Sequence, residues 1–214
     1  MKPSERRDRL AAARLYVVTG NRPDLAEFLD AILGAGVDVV QLREKDAEAG
    51  DLLRWGEGFR EASERHGALF IVNDRPDAAF ALDADGVHLG QDDLPPHVAR
   101  ELLGEDVIVG LSTHSPAQWD VAAPEADYLC IGPVWETPTK PGRPAAGLEA
   151  VRHAASSDEQ RPWFAIGGIT EENLPEVLAT GATRIVVVRA ITEAAHPGDS
   201  VELLVERLTS AARS

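Results

Sequence analysis

Gln41, Arg43 and Lys45 stand two residues apart at the end of an apolar run. In extended chain, residues two apart share a face. An amide, a guanidinium and an ammonium would then line up as a clamp for a polyanion, Arg with paired donors and Lys with a point charge. A solvated charge run capping a strand competes for the same residues. Two later segments offer carboxylates, Asp74 in Asn73-Asp74-Arg75-Pro76 and Asp93 in Gln91-Asp92-Asp93. Beside a phosphate clamp, such a pair makes a Mg²⁺ site, with water and substrate phosphates filling the octahedron. By itself, Asn73-Asp74 before Arg75-Pro76 reads as an ordinary turn. His88 is open to reading as a ligand, though a hydrogen-bonded packing role is commoner at such a position. No His/Cys cluster suggests zinc.

Ser112 comes shortly before His114, which invites a hydrolase reading. No Gly-x-Ser-x-Gly elbow supports it, and Ser112 as a hydrogen-bond donor to a ligand is the more modest expectation. Residues 132–143 are rich in Pro, Gly, Thr and cations. Thr139-Lys140 offers a hydroxyl and a mobile ammonium suited to a lid over an anion, with a flexible surface loop as the alternative. Gly167-Gly168 lets backbone N–H groups approach a phosphate, and the helix start that follows would add partial positive charge. Val188-Arg189 ends the last strand candidate.

The elements that must hold these residues alternate along the whole chain. Strand candidates are 15–19, 37–42, 69–72, 86–89, 107–111, 128–131, 163–166 and 184–188. Between them lie amphipathic segments such as 23–35, 51–66, 95–103, 116–122 and 172–180, with 201–212 at the end. Strands each followed by a crossover imply a parallel sheet covered on both faces, hence near-continuous apolar runs. Eight regular units favour a closed barrel over an open sheet, and no Gly-x-Gly-x-x-Gly follows the first strand. The expected fold is α/β, a single (β/α)8 TIM barrel spanning 14–214, preceded by a short extension over 1–13 without chemistry of its own. Polar residues at strand C-termini are then active-site candidates, and the loops after strands seven and eight are the habitual phosphate site.

The 214 residues suit one such barrel, and their formal charge of −15 argues against nucleic acid or an anionic membrane as partner. No apolar run approaches the ~20 residues of a membrane span, and the charged N-terminus lacks the core of a secretory signal. A cytoplasmic location is expected. Cys130, the only cysteine, lies in an apolar stretch and reads as a buried, inert thiol. The helix faces leave self-association into a homo-oligomer open.

Taken together, Gln41-Leu42-Arg43-Glu44-Lys45, Asn73-Asp74-Arg75, Ala84-Asp85-Gly86-Val87-His88-Leu89-Gly90-Gln91-Asp92-Asp93, Gly132-Pro133-Val134 with 137–140, and Ile166-Gly167-Gly168-Ile169 resemble the thiamine phosphate synthase family. The resemblance covers 15–191 in order and spacing. It implies a transferase of thiamine biosynthesis that joins a pyrimidine diphosphate to a thiazole phosphate and releases pyrophosphate. Carried over by position, Gln41, Arg43, Lys45, Asn73, Ser112 and Lys140 would hold the pyrimidine diphosphate. Asp74 and Asp93 would bind Mg²⁺. Thr137, Thr139, Gly168 and the backbone at Val188 and Arg189 would hold the thiazole phosphate. Arg43, Lys45, Ser112 and Lys140 are the expected catalytic residues. Two positions depart from the pattern: Glu136 stands where a proline is common, and Arg189 where a serine is common.

Three rivals remain at this level. A thiazole tautomerase resembles the same family but would call for a histidine where Pro133 stands, and it needs no metal carboxylate at Asp93. A sugar-phosphate isomerase or epimerase would use the glycine loop without the clamp. A catalytically silent phosphate binder would be expected to have lost Lys140 or a carboxylate, and neither is lost.

Overall fold

A computed structural model describes residues 3–137 and 144–211. Eight parallel strands close into a barrel in sequence order: β1 (Leu15–Thr19), β2 (Val39–Leu42), β3 (Leu69–Asn73), β4 (Gly86–Leu89), β5 (Ile108–Thr113), β6 (Tyr128–Ile131), β7 (Trp163–Ile166) and β8 (Ile185–Val187). Closure comes from β8 pairing with β1, Tyr16 opposite Val186. The helices are α1 (Pro3–Ala12), α2 (Leu25–Gly34), α3 (Ala49–His66), α4 (Pro76–Ala81), α5 (Pro96–Leu103), α6 (Pro116–Asp120), α7 (Gly147–Ser156), α8 (Leu174–Leu178), α9 (Arg189–Thr192) and α10 (Pro197–Ala211). Among the described residues no helix is long and apolar enough to cross a membrane.

The strands look uniformly apolar because both faces are buried, yet the two-residue period sorts them cleanly. Leu15, Val17, Val40, Leu42, Phe70 and Val72 point outward into the layer under the helices. Tyr16, Val18, Val39, Leu69, Ile71, Tyr128, Cys130, Phe164 and Val186 fill the barrel interior. Inward parity therefore also belongs to Gln41, Asn73, His88 and Ser112. Polar residues on that parity sit above the apolar filling, at the strands' C-terminal ends.

The opposite end is closed by helix α1. Leu10 joins the interior cluster, and the Arg6 guanidinium donates to buried Asp85 at 2.8 Å. Asp38, Asp85 and Asp127 form a recurrent device there. Each precedes an even-numbered strand and accepts an N–H from the strand before it: Leu15 at 3.0 Å, Phe70 at 3.0 Å and Val109 at 2.8 Å. Carboxylates at the N-terminal rim anchor strand starts and belong to stability.

Some boundaries differ from those expected. Pro76, expected in a turn, is the first residue of α4, where its missing N–H costs nothing. Helix α8 begins only at Leu174 and has five residues. Gly167-Gly168 thus runs into a turn before any helix.

Candidate active site

Strand β2 delivers Gln41 inward, 3% exposed, and ends at Leu42. Arg43 continues the inward parity, tied by its N–H to the Thr19 carbonyl at 2.9 Å. Lys45 lies past the strand in an exposed turn, so strand alternation alone does not reach it as the spacing suggested. Glu44 turns the other way, accepting from the Asn21 N–H at 2.7 Å. The positive charges of Lys45 and Arg43 both act on Asp74, so the two cations do converge on one spot.

That spot is a carboxylate pair. Asp74 follows β3 in the left-handed region, φ 59°, and its N–H reaches the His88 carbonyl of β4 at 2.9 Å. Its side chain is hydrogen-bonded to Asp93. Asp93 in turn accepts from the Gly90 N–H at 2.7 Å, and a Cβ on Gly90 would come within 2.8 Å of that carboxylate. Burial first, and the neighbouring Asp93 second, push the Asp74 carboxyl up to about 6, against the pull of Lys45 and Arg43. Like charge beside Asp74 disfavours its ionised form, and a bound cation would relieve that repulsion. Among the described residues no group of three or more His, Cys, Asp or Glu could hold a metal. A pair of oxygen donors suits Mg²⁺, which keeps waters and takes substrate phosphates, and does not suit a site that the protein must complete alone.

Two hollows open at this end of the barrel. One is lined by Gln41, Arg43, Asn73, His88, Ser112 and Cys130, among others. The second is lined by Ser112, Thr137, Gly167, Gly168, Val188 and Arg189, with neighbours from the same loops. Ser112, Ile166, Val186 and Val188 belong to both. The hollows therefore meet across one wall, with Ser112 its buried polar member.

The glycine loop is built by close backbone contact. Gly167 and Gly168 have φ 106° and 71°. A Cβ on Gly167 would lie 2.4 Å from Pro133 Cα, and one on Gly168 2.9 Å from Trp135 Cβ. The strand-six loop crosses them, Val134 N–H bonding the Ile166 carbonyl at 2.9 Å and Trp135 N–H the Gly167 carbonyl at 3.1 Å. Asn173 braces the far side, accepting from Thr170 N–H and donating to the Gly168 carbonyl, each at 2.8 Å. The expected contribution of a helix N-terminus is not there, because α8 starts further on. Backbone N–H groups and the turn are what this loop offers an anion.

The structure thus gathers Gln41, Arg43, Asn73 and Ser112 in one hollow, and Thr137, Gly168, Val188 and Arg189 with Ser112 in the other. It sets Asp74, Asp93 and Lys45 at the rim. The Arg189 side chain itself is exposed. Thr139 and Lys140 lie outside the described residues.

Ser112 does have a histidine partner, and it is His88. Their Oγ and Nε2 are 2.8 Å apart, while His114 Nδ1 bonds the Gly132 carbonyl at 2.6 Å. Behind His88 stands the Tyr128 phenol, 2.9 Å from Nδ1, and not a carboxylate. Burial pushes the Tyr128 phenol well above its ordinary range, so the group at His88 Nδ1 is a neutral hydroxyl and not the carboxylate of a Ser-His-Asp triad. Tyr16 and Tyr128 are the site residues that sequence reasoning passed over. Their signal was available, since both share the inward parity of Gln41 and Ser112.

Residues 15–191 match the model of the family described as thiamine monophosphate synthase. A thiamine-phosphate synthase of Acidothermus cellulolyticus is 57% identical over 208 residues, 95% of this chain and 98% of that protein. Another, from Streptomyces avermitilis, is 55% identical over 214 residues, 98% of this chain and 100% of the relative. Among solved structures, a thiamine phosphate pyrophosphorylase from Pyrococcus furiosus superimposes with a TM-score of 0.85 at 33% identity, covering 96% of this chain and 98% of its own.

Proposed function

The chain belongs to the thiamine monophosphate synthase family, and from that premise we propose how its two hollows divide the reaction. The pyrimidine diphosphate lies over Gln41, Asn73 and Ser112 with its diphosphate toward Arg43, Lys45 and Lys140. The thiazole phosphate lies in the glycine loop, its phosphate on the backbone at Gly168, Val188 and Arg189 and on Thr137 and Thr139. The observation that carries this division is the wall shared at Ser112, Ile166, Val186 and Val188. Two phosphorylated substrates held on either side would bring their reacting atoms together there.

The reaction that fits is dissociative. The methylene C–O bond to the diphosphate breaks, and the bonding electrons leave with pyrophosphate. The aminopyrimidine stabilises the cation left behind, and the thiazole nitrogen lone pair closes the new C–N bond. Arg43, Lys45 and Lys140 offset the negative charge that develops on the leaving group. Asp74 and Asp93 would hold Mg²⁺, consistent with their close contact and mutual repulsion. When bound, that ion would supply charge neutralisation at the diphosphate. No protein nucleophile is required, in keeping with the neutral phenol behind His88. Positioning and electrostatics carry the rate.

The test is product formation. Purified protein with the pyrimidine diphosphate, the thiazole phosphate and Mg²⁺ is expected to form thiamine phosphate, detected as its fluorescent oxidation product, and EDTA is expected to abolish it. Folded protein that forms none in Mg²⁺ would refute the assignment. Turnover that persists in EDTA would refute the metal's part in it.

A further inference from the structure

A line of buried polar side chains crosses the barrel beneath the two hollows. The Gln41 amide Nε2 contacts the Tyr16 hydroxyl. Tyr16 and Tyr128 hydroxyls are 3.0 Å apart, Tyr128 reaches His88 Nδ1 at 2.9 Å, and His88 Nε2 reaches Ser112 Oγ at 2.8 Å. The five residues come from β2, β1, β6, β4 and β5. The phenols and Phe164 pack edge to face, with centroids 5.6 to 6.1 Å apart, which leaves the rings little freedom to turn away. Gly110 makes room for this arrangement, since a Cβ there would lie 2.1 Å from Tyr128 Cζ.

Counting hydrogens limits what this line can be. Burial raises both phenols far above their ordinary acidity range, so each keeps one hydrogen to donate. A buried O–H left unpaired is costly. With a neutral imidazole, only two arrangements use every phenol hydrogen and place one hydrogen in each of the four contacts, one with all donors pointing from Gln41 toward Ser112 and one with all reversed. The amide nitrogen of Gln41 faces Tyr16, and an amide nitrogen can only donate.

We propose that this relay runs one way, from Gln41 to Ser112, and that Tyr16, Tyr128 and His88 are positioning residues that make the site choose an aminopyrimidine over its oxo analogue. Tyr16 accepts from Gln41 and donates to Tyr128. Tyr128 donates to His88 Nδ1, so the imidazole is neutral with its hydrogen on Nε2, and that hydrogen goes to Ser112 Oγ. Two groups remain for a ligand in the hollow that Gln41 and Ser112 both line: the Gln41 carbonyl oxygen as acceptor and the Ser112 hydroxyl as donor. A ring with an amine beside an unprotonated nitrogen complements both. A ring with an oxo group beside an N–H opposes both, and fits only if the amide flips and every hydrogen of the relay reverses. Discrimination is strong when a mismatch leaves buried polar groups unpaired.

The choice of ring rests on the synthase reading, whereas the state of His88 does not. Long-range ¹H–¹⁵N NMR on free protein labelled in histidine, with the His88 signal assigned by its loss in His88→Gln, is expected to show hydrogen on Nε2 alone. Hydrogen on Nδ1, or on both nitrogens, overturns the direction of the relay. Tyr128→Phe removes the donor to Nδ1. It is expected to mix the two His88 tautomers, to lower kcat/KM for the aminopyrimidine diphosphate about tenfold, or about 1.4 kcal/mol, and to shrink the preference over the 4-oxo analogue. KM for the thiazole phosphate should hold. If Tyr128→Phe does not fold, Tyr16→Phe interrupts the relay one step earlier: the Tyr128 donor to Nδ1 and the His88 tautomer should stay, while the Gln41 amide, without its partner, is freed to flip, so kcat/KM and the preference over the 4-oxo analogue should fall. A folded variant with unchanged tautomer and unchanged preference overturns the positioning role. Wild-type protein without turnover but with hydrogen on Nε2 would refute the synthase reading and sustain the relay.

Discussion

Asp74→Asn exchanges a charge for a neutral amide of the same shape, at a backbone position, φ 59°, that asparagine tolerates better than most residues. The Asp74 carboxyl lies at about 6 in the folded protein, above its ordinary 3.8, through burial and then through Asp93. Below pH 3.8 both folded and unfolded chains are protonated, and the tighter hold of the folded state on that proton contributes fully. As the pH rises through about 6 the contribution is lost, because the folded chain must then carry an ion it disfavours. The distance from 3.8 to about 6, at 1.36 kcal/mol per pH unit, sets an upper limit of about 3 kcal/mol. Asp74 is only half-buried, and solvent screening reduces this to about 1–2 kcal/mol. In EDTA at pH 7.5 the asparagine variant should therefore be more stable than wild type by that amount, raising Tm by about 2–8 °C for a chain of this size. The gain should shrink toward zero as the pH falls to 4. Mg²⁺ should raise the wild-type Tm at pH 7.5 and leave the variant nearly unmoved, and turnover of the variant should be lost. Urea or thermal denaturation at several pH values reads all of this. A variant no more stable than wild type at pH 7.5, or one whose gain is independent of pH, would refute the account of the carboxylate pair.

Gly110→Ala places a methyl 2.1 Å from Tyr128 Cζ; the overpacking should cost about 1–3 kcal/mol and depress Tm, and an unchanged melting curve would count against the tightness of the aromatic floor. Gly168→Ala strains a residue at φ 71° and crowds Trp135. Steady-state kinetics should show KM for the thiazole phosphate several-fold higher with KM for the pyrimidine diphosphate near wild type. Arg6→Ala leaves buried Asp85 without its cation at the end of the barrel away from the site. It should cost about 3 kcal/mol in urea unfolding, while kcat per folded molecule is retained. Lys140→Ala should reduce kcat at least a hundredfold with stability unchanged, if its ammonium meets the leaving diphosphate.

The barrel was legible in the sequence because its determinants are local. Apolar runs buried on both faces, crossovers between them and a count of eight leave few other architectures. Most of the candidate site was legible for the same reason. Gln41, Arg43, Asn73, Asp74, His88, Asp93 and Ser112 fall at or just beyond strand ends, which this fold turns toward one mouth. Strand parity would even have singled out Tyr16 and Tyr128, which lie unremarked within apolar strand candidates.

What the chain's spacing could not convey is which inward residues meet. Ser112 bonds His88, 24 residues earlier, and not His114, and Tyr16 bonds Tyr128 across the barrel. Asp74 and Asp93 come into contact only because β3 and β4 pair with Asn73 opposite His88. Gly167 and Gly168 are glycines chiefly because the strand-six loop crosses them, and α1 proved to be the plug of the closed end. Such meetings depend on the register between strands and on barrel closure. Those are set by packing every side chain of the interior at once, and no local segment of the sequence contains them.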